Sequence, residues 1–302
     1  MPEYGRITSF SLRGRRLGAR HAQTMEEFGG FYVPQFPRGE GTATVDPGFR
    51  PDFTKIFGRS APIVAEIGPG SGEQLIHAAQ LFPERDFLAF EAWDPGVARC
   101  VRAAVRAGVK NVRIVPLDAA QALPVLFAES GGACAQGENT AGLCEVWTFF
   151  PDPWRKKRHR KRRIVSPRFA HTVARVLPAG GVWRLATDWD NYAWQMRDVI
   201  AQSPWFSNPY AGRNGDPADE GLYRGGFAPR FAHRTLTRFE SRGREAGRTV
   251  HDLTAVRNTL PADAAPVPED PWSAAEKQGV CVPANRGGER PPSSRRGLRE
   301  HG

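Results

Sequence analysis

Short apolar runs of strand length alternate with longer amphipathic segments of helix length between residues 61 and 202. The apolar runs predict five strands, at 63–68, 87–92, 112–117, 145–150 and 182–187. The segments that follow them predict helices at 71–82, 95–107, 119–129, 167–177 and 191–202. Because each strand is followed by a helix, the pattern predicts a doubly wound α/β fold whose mostly parallel sheet carries helices on both faces.

Composition divides the chain into three parts. Residues 1–60 hold several arginines and many glycines, with four prolines between 34 and 51, which predicts a basic, partly flexible arm with a short helix over 20–28. Residues 61–257 form the single predicted domain, in which weaker periodicity adds strands at 235–240 and 249–256. Residues 258–302 contain seven prolines and five glycines with few apolar residues, which predicts a disordered tail.

The charge balance favours a polyanionic partner. Lys and Arg number 42 against 32 Asp and Glu, a formal net charge of +10. Nucleic acid is favoured over a membrane surface, because no amphipathic anchor stands out. No apolar stretch is long enough to cross a bilayer and the first residues lack the apolar core of a secretory signal, so the sequence predicts a cytoplasmic protein.

The four cysteines exclude a disulfide framework in a chain of this length. They show no CxxC pairing, which argues against a zinc knuckle, and no metal site is predicted. Reduced thiols are expected at Cys100, Cys134, Cys144 and Cys281.

A glycine-rich turn joins the first predicted strand to the first helix, in the order Glu66-Ile-Gly68-Pro-Gly70-Ser-Gly72-Glu73. Glycines there let the backbone turn sharply and let a ligand approach closely. A dinucleotide-binding loop would need glycine in place of Glu73, and the Glu66 carboxylate would repel a pyrophosphate. A carboxylate suits the ammonium and sulfonium of S-adenosylmethionine, so we expect that cofactor at Glu66, Gly68, Gly70 and Gly72.

Two further carboxylates follow the next strands. Glu91 ends the second predicted strand, where an acidic side chain can accept hydrogen bonds from both ribose hydroxyls. Asp118 ends the third, beside the expected position of adenine. Each taken alone is typical of a surface or capping residue. Together with Glu66 they share the sheet edge at which doubly wound folds bind ligands.

The fourth predicted strand ends in Phe149-Phe150-Pro151-Asp152-Pro153-Trp154. Prolines on both sides restrict the backbone and would hold the Asp152 carboxylate rigidly, while Trp154 offers a flat face for a base. A stiff loop whose aromatic rings fill part of the core is the alternative.

The next nine residues, 155–163, contain eight Lys or Arg and one His. This charge density favours contact with nucleic-acid phosphates over a solvated face or a nuclear-localisation signal.

Six blocks of sequence then carry a family resemblance. The blocks EIGPGSGE, FEAWDPG, LDAAQAL, FFPDPWRKKRHRKRR, ATDW and TRFESRG, in this order between residues 9 and 257, resemble the bacterial tRNA (guanine-N7-)-methyltransferase family. The resemblance implies a Rossmann-like class I methyltransferase fold, S-adenosylmethionine as cofactor and tRNA as substrate. Departures from the family pattern are Pro69, Trp93, Arg238 and a longer loop at 131–142.

The resemblance also implies roles for individual residues. Besides the glycines, the cofactor site would comprise Glu66, Glu91, Asp118 and Asp152, of which Asp152 is the expected active-site residue. The substrate would be held by Lys156, Asp188, Thr237, Arg238, Phe239 and Glu240. The stretch in contact with RNA would be Arg158, His159, Arg160, Lys161, Arg162 and Arg163.

Guanine specificity gives one more expectation. Guanine presents N1–H and an exocyclic amine as neighbouring donors, so we expect the carboxylate of Asp188 or Glu240 to read that edge, although Asp188 could instead cap the following helix. Two other functions remain open. An NAD-dependent Rossmann oxidoreductase is disfavoured by Glu73, and a noncatalytic RNA-binding protein has no need for acidic residues at the cofactor edge.

Overall fold

A computed structural model describes residues 8–10, 17–41, 43–128, 142–213 and 223–273. One seven-stranded sheet forms its centre, with strand order β3-β2-β1-β4-β5-β7-β6. The strands are β1 Ile63–Ile67, β2 Asp86–Phe90, β3 Val112–Val115, β4 Leu143–Phe149, β5 Val182–Thr187, β6 Phe206–Ser207 and β7 His251–Arg257. β1 to β5 pair in parallel, whereas β7 runs antiparallel to both β5 and β6.

Eight α-helices accompany the strands in the described part of the chain. They are α1 Ala19–Tyr32, α2 Phe53–Phe57, α3 Glu73–Leu81, α4 Asp94–Ala107, α5 Ala119–Leu126, α6 Pro167–Val176, α7 Asp190–Gln202 and α8 Arg238–Glu245. Short 3₁₀ helices cover Lys157–Arg162 and Ala262–Ala264. The predicted α/β fold with a mostly parallel sheet is confirmed, and the predicted strand at 249–256 is present as β7.

The apolar strands are buried because the sheet has helices on both faces. Every residue of β1 is buried, including the polar Glu66, as expected for a central strand of a parallel sheet. One apolar core lies between the sheet and α1, α3 and α4, and a second lies against α5, α6 and α7. The strand order brings the carboxyl ends of β1, β2 and β4 together at one edge.

The predicted strand at 235–240 is wrong, because these residues lead into α8. The Thr237 hydroxyl accepts a hydrogen bond from the backbone N–H of Glu240 and caps the helix. Thr-x-x-Glu before a helical segment is the signature of a capping box, so this helix start was visible in the sequence. β6 was missed because two residues carry no periodic signal.

Both predicted terminal segments contribute ordered structure to the domain. The Tyr32 hydroxyl donates to the Val109 carbonyl at 2.8 Å, and Val45 is completely buried. In the predicted tail, Trp272 is also buried. Residues 1–7, 11–16 and 42 of the arm, the loop at 129–141 and the tail from 274 onward lie outside the described residues.

Within the described ranges, no helix has both the length and the apolar character required to span a bilayer. Cys100 and Cys144 are free thiols, as expected. Cys134 and Cys281 lie outside the described residues.

Candidate active site

Two cavities open at the carboxyl edge of the sheet. The glycine-loop cavity has a volume of about 950 Å³ and lies between residues 66–74, α4 and α8. The aspartate cavity has a volume of about 380 Å³, and its wall includes Asp152, Trp154 and Asp188. Phe150 and Phe239 belong to both walls, so the two cavities meet at these rings.

The predicted glycine turn adopts a backbone that requires glycine. Gly68, Gly70 and Gly72 have φ angles of 71°, 62° and 80°, in the left-handed region. At Gly72 a Cβ would also lie 3.3 Å from Cys100 of α4, so this glycine permits close packing of the turn against that helix. The turn delivers the chain into α3 and leaves Gly68 and Gly70 open toward the cavity.

Glu66 places a carboxylate at the bottom of the glycine-loop cavity. The residue is only 3% exposed, and its Oε2 has no hydrogen-bond partner among the described residues. Burial raises the pKa of this carboxyl to about 8. An orphaned carboxylate oxygen facing a cavity fits a ligand that brings a cationic N–H donor, such as the ammonium of S-adenosylmethionine.

Glu91 lies beside the same turn. Its Oε1 accepts a hydrogen bond from the backbone N–H of Trp93 at 2.9 Å. A Cβ on Gly96 would lie 2.7 Å from the carboxyl carbon, so that glycine makes room for the carboxylate at the start of α4. Burial, followed by the negative charge of Asp152, raises the pKa of Glu91 to about 7. Glu91, which directly follows β2, and Asp152 therefore interact through their charges.

Asp118 has the capping role that the sequence offered as the alternative to cofactor binding. It follows the end of β3 by three residues, and its side chain accepts the backbone N–H of Ala120 at 3.0 Å to cap α5. Its own backbone N–H donates to the Ala43 carbonyl at 2.8 Å. Asp118 does not line either of the two cavities among the described residues.

Residues with a strained backbone flank the Asp152 turn on both sides. Phe150 and Trp154 have φ angles of 50° and 41°, which side-chain-bearing residues rarely adopt. The Pro153 carbonyl accepts from Arg163 Nε at 2.8 Å, which fixes the turn from behind. The Asp152 carboxyl remains open to solvent on one side, while the surrounding protein raises its pKa and the charge of Arg162 lowers it in part.

Trp154 is engaged within the protein. The guanidinium of Arg162 lies 3.7 Å from the centre of its ring, and His159 contacts the ring edge-on. Its Nε1 donates to the Ser9 carbonyl at 3.0 Å. One face of the indole is therefore occupied, which limits the base stacking expected from the sequence.

Asp188 ends β5 at the wall of the aspartate cavity. Its Oδ2 accepts from Arg248 Nε at 2.7 Å. A Cβ on Gly243 would lie 2.8 Å from the same oxygen, so α8 packs closely on the carboxylate. Asp188 does not cap α7, whose N-cap residue is Trp189 without a side-chain cap bond. The capping alternative left open by the sequence is therefore wrong.

Glu240 is completely buried in a cluster of arginines. Its carboxylate accepts from Arg244 at 2.7 Å, from Arg230 at 3.3 Å and from Arg234. Arg234 also donates to Asp252 of β7 at 2.6 Å. With both oxygens engaged, Glu240 anchors α8, and we no longer expect it to read a base.

The neighbouring residues of α8 have different surroundings. Arg238 donates to Glu73 through its Nε and through its backbone N–H, both at 2.7 Å. Phe239 is 47% exposed, and its ring centre lies 5.4 Å from that of Phe150. Thr237 caps α8 and lines the glycine-loop cavity. Of the predicted substrate residues, Phe239 is the one that presents an open aromatic face at the junction.

Comparisons with known proteins are consistent with this geometry. A family model described as a putative methyltransferase matches residues 60–253. A tRNA (guanine-N(7)-)-methyltransferase of Cutibacterium acnes is 42% identical over 248 residues, covering 82% of each chain. Enzymes of the same name from Paenarthrobacter aurescens and Shewanella pealeana are 36% and 39% identical, covering 83% and 82% of this chain and 91% of each relative. The chain belongs to the tRNA (guanine-N7-)-methyltransferase family.

Membership of this family argues against both alternatives that the sequence left open, the oxidoreductase and the noncatalytic RNA-binding protein. Among solved structures, that of the 16S rRNA methyltransferase KamB is similar with a TM-score of 0.43 and 17% identity, covering 68% of this chain and 92% of that one. The methyltransferase fold is evident in the strand order itself, with β7 inserted antiparallel beside β5.

The basic run of this family member forms the 3₁₀ helix Lys157–Arg162, with exposed and engaged side chains interleaved. Lys156, Lys157, Arg158 and Lys161 are exposed. Arg162 donates to the carbonyls of Thr8 and Phe10 at 3.0 and 2.9 Å. Desolvation, followed by the positive charges of neighbouring Lys and Arg side chains, lowers the pKa of His159 and favours its neutral form.

Arg163 is buried and is no longer expected to contact RNA. It is 4% exposed and donates to Gln195 at 2.6 Å and to Asn191 at 2.8 Å. Its guanidinium also stacks on Tyr192. Desolvation lowers the pKa of Arg163 to about 10, which leaves it charged at neutral pH. The sequence run gave no sign of this burial, because the partners lie about 30 residues away on α7.

A second set of arginines lines the glycine-loop cavity. Arg99, Arg102 and Arg106 of α4 follow a spacing of three and four residues, which places them on one helix face. Arg102 and Arg106 have no ion-pair partner within the described ranges. Arg242 of α8 lines the same cavity. Periodicity alone did not single out these residues, because arginines on an exposed helix face are common.

Proposed function

We propose that this chain methylates N7 of a guanine in tRNA at the junction of the two cavities, with S-adenosylmethionine as cofactor. The observation that carries the proposal is the unpartnered oxygen of buried Glu66, which faces the glycine-loop cavity beside the Asp152 turn. The bound cofactor supplies an electrophilic methyl group on a sulfonium. Glu66 would accept its ammonium, and Glu91 would accept from its ribose.

Guanine N7 carries a lone pair in the neutral base, so the reaction needs no general base to create the nucleophile. The protein's task is to align the base with the methyl group. Phe239 would support the purine ring at the junction, where its exposed face adjoins Phe150. Asp188, held by Arg248, would accept hydrogen bonds from the N1–H and the exocyclic amine of guanine.

Asp152 is the proposed catalytic residue. Positive charge develops on the purine as N7 forms its new bond, and a fixed carboxylate stabilises that charge. The strained turn and the Arg163 contact to Pro153 hold Asp152 without reorganisation during the reaction. The charges of Asp152 and Glu91 interact, and the Asp152 carboxylate would lie between the cofactor and the base.

Two basic surfaces would bind the tRNA backbone on either side of the junction. The first comprises Lys156, Lys157, Arg158 and Lys161 beside the aspartate cavity. The second comprises Arg99, Arg102, Arg106 and Arg242 at the glycine-loop cavity. Both surfaces have the charge and exposure that phosphate contacts need. We place the enzyme in the cytoplasm, with its tRNA substrate.

The test is incubation with unmodified tRNA and methyl-labelled S-adenosylmethionine, followed by nucleoside analysis. We expect 7-methylguanosine at one position of the tRNA. Recovery of labelled adenosine or cytidine would contradict the assignment of the base. Binding of labelled tRNA without any methyl transfer would favour the noncatalytic alternative, and NAD binding in place of S-adenosylmethionine would favour the oxidoreductase.

A further inference from the structure

We infer that residues 258–273 form a brace that positions both the basic 3₁₀ helix and the Asp152 turn for tRNA, with Asp270 and Trp272 as its positioning residues. The inference rests on the proposed function, because it concerns how the tRNA-binding surface is held. The sequence predicts a disordered tail here, so the role comes from the contacts of the folded chain.

Trp272 connects two elements that are separate in sequence. Its Nε1 donates to Asp198 Oδ2 at 2.9 Å, and Asp198 is a completely buried residue of α7. The guanidinium of Arg160, within the basic helix, lies 5.8 Å from the centre of the Trp272 ring. The side chain is 5% exposed. One indole therefore attaches the basic helix to α7 through a hydrogen bond and a cation–π contact.

Asp270 begins a second connection. Its Oδ1 accepts the backbone N–H groups of Trp272 and Ser273 at 3.1 and 2.9 Å, which fixes the turn that presents the indole. Its Oδ2 accepts from Gln195 Nε2 at 3.4 Å. The carboxylate thereby contacts the α7 side chain that supports Arg163.

Gln195 carries this connection to the active site. Its Oε1 accepts from Arg163 Nη1 at 2.6 Å, and Arg163 Nε donates to the Pro153 carbonyl at 2.8 Å. Pro153 directly follows Asp152. A continuous series of hydrogen bonds thus runs from Asp270 to the backbone of the proposed catalytic turn. The negative charge of Asp270 also favours the charged form of buried Arg163.

The segment is attached firmly enough to act in this way. At its start, Asn258 donates from its backbone N–H to the Trp205 carbonyl at 3.0 Å and from its side chain to the Pro204 carbonyl at 2.8 Å. Eight cations in nine residues repel one another, so the basic helix needs attachments to keep one arrangement. The brace supplies such attachments through Trp272 and Asp270.

The test uses Trp272→Ala, Trp272→Phe and Asp270→Asn in the full chain. Loss of a cation–π contact and its hydrogen bond is expected to raise the KM for tRNA about three- to tenfold, with the Kd for S-adenosylmethionine unchanged. Trp272→Phe keeps an aromatic face for Arg160 and should have a smaller effect than Trp272→Ala. Leu260→Ala is the matched control, since it removes packing against the apolar core from the same segment without removing a side-chain hydrogen bond or a cation–π contact.

Equal tRNA KM values for the Trp272 and Leu260 variants, with only thermal stability lowered, would overturn the brace. If Trp272→Ala does not fold, Trp272→Phe and Asp270→Asn still report on tRNA binding. A wild-type protein without methyl transfer would instead contradict the proposed function. Direct tRNA-binding measurements on the same variants would then decide the brace independently, and unchanged Kd values for tRNA would contradict it.

Discussion

Arg238, the first residue of α8, is hydrogen-bonded to Glu73, the first residue of α3. Two hydrogen bonds of 2.7 Å connect them, one from the Arg238 side chain and one from its backbone. Glu73 occupies the position at which a dinucleotide-binding loop would have its third glycine. The carboxylate that argues against a dinucleotide thus attaches α8 over the glycine-loop cavity and places Phe239 at the junction.

Glu73→Gln should therefore affect catalysis more than stability. The Arg238 side chain is 82% exposed, and such ion pairs contribute about 1 kcal/mol or less. We expect a small change in Tm and a fall in kcat/KM of about tenfold, because Phe239 loses its fixed position. Thermal unfolding and steady-state methylation measure the two effects. A loss of Tm without any loss of kcat/KM would contradict the positional role.

Glu66 makes the folding stability of the ligand-free protein depend on pH. Its pKa is raised to about 8 in the folded state, so folding favours the protonated carboxyl. Unfolding is accompanied by proton release above the ordinary pKa of a glutamate, and stability falls as pH rises from about 5 toward 8. The maximum loss is about 5 kcal/mol, and Glu66→Gln should remove it. Denaturant titrations between pH 5 and 9 measure this difference.

S-adenosylmethionine binding provides the complementary measurement. A cationic ammonium requires the ionised Glu66, so the affinity for the cofactor should increase as pH rises from about 6 toward 8, near which an α-amino group begins to lose its own proton. Glu66→Gln should bind more weakly and lose the part of the pH dependence that Glu66 causes, leaving that of Glu91 near pH 7. A wild-type affinity that is constant from pH 6 to 9 would exclude this contact.

Asp152→Asn tests stabilisation of charge without changing shape. We expect the single-turnover rate of methyl transfer to fall about 100-fold, with tRNA and cofactor affinities near those of the wild type. Rapid-quench measurements with saturating enzyme isolate this step. A variant that retains the full single-turnover rate would remove Asp152 from the mechanism.

The exposed residues of the basic run should bind tRNA through contacts with its phosphates. Lys157→Gln, Arg158→Gln and Lys161→Gln together should weaken tRNA binding and reduce the log–log salt slope by roughly one unit per lost contact. Arg168→Gln with Arg175→Gln is the control, since both arginines are exposed on α6 and line neither cavity. An unchanged slope in the triple variant would mean that RNA binds elsewhere.

Arg163→Ala should behave differently from those variants. It leaves buried acceptors on Gln195, Asn191 and Pro153 without their donor, which costs about 3 kcal/mol of stability. The salt slope of the remaining folded protein should equal that of the wild type. Denaturant unfolding combined with filter binding separates the two effects, and a reduced slope would restore Arg163 to the RNA-contacting set.

Much of the fold could be predicted from the sequence because buried parallel strands are continuous apolar runs. The runs that became β1 and β2 also indicated where these strands end, so the position of Glu66 within β1 and of Glu91 directly after β2 could be predicted, while their roles as cofactor ligands stay predictions. The family blocks extended this to the Asp152 turn. α8 was misread because its first turn looks like a strand, although its Thr237 cap was recognisable.

Whether an individual charged side chain is exposed or buried could not be predicted in the same way. Whether Glu240 or Arg163 is exposed depends on partners brought close only by folding, such as Arg234 and Gln195. Asp188 and Glu240 look equivalent in sequence, yet of the two it is Asp188 that lines one of the two cavities described above, whereas Glu240 is completely buried. Residues of the same type within one motif thus differ in function because their tertiary neighbours differ.

The shared wall formed by Phe150 and Phe239 has a thermodynamic consequence. A ring that changes orientation to fit a ligand in one cavity also changes the shape of the other. Occupancy of the two cavities is then linked, and the factor by which cofactor alters tRNA affinity equals the factor by which tRNA alters cofactor affinity. Such coupling would require no element beyond these two aromatic side chains.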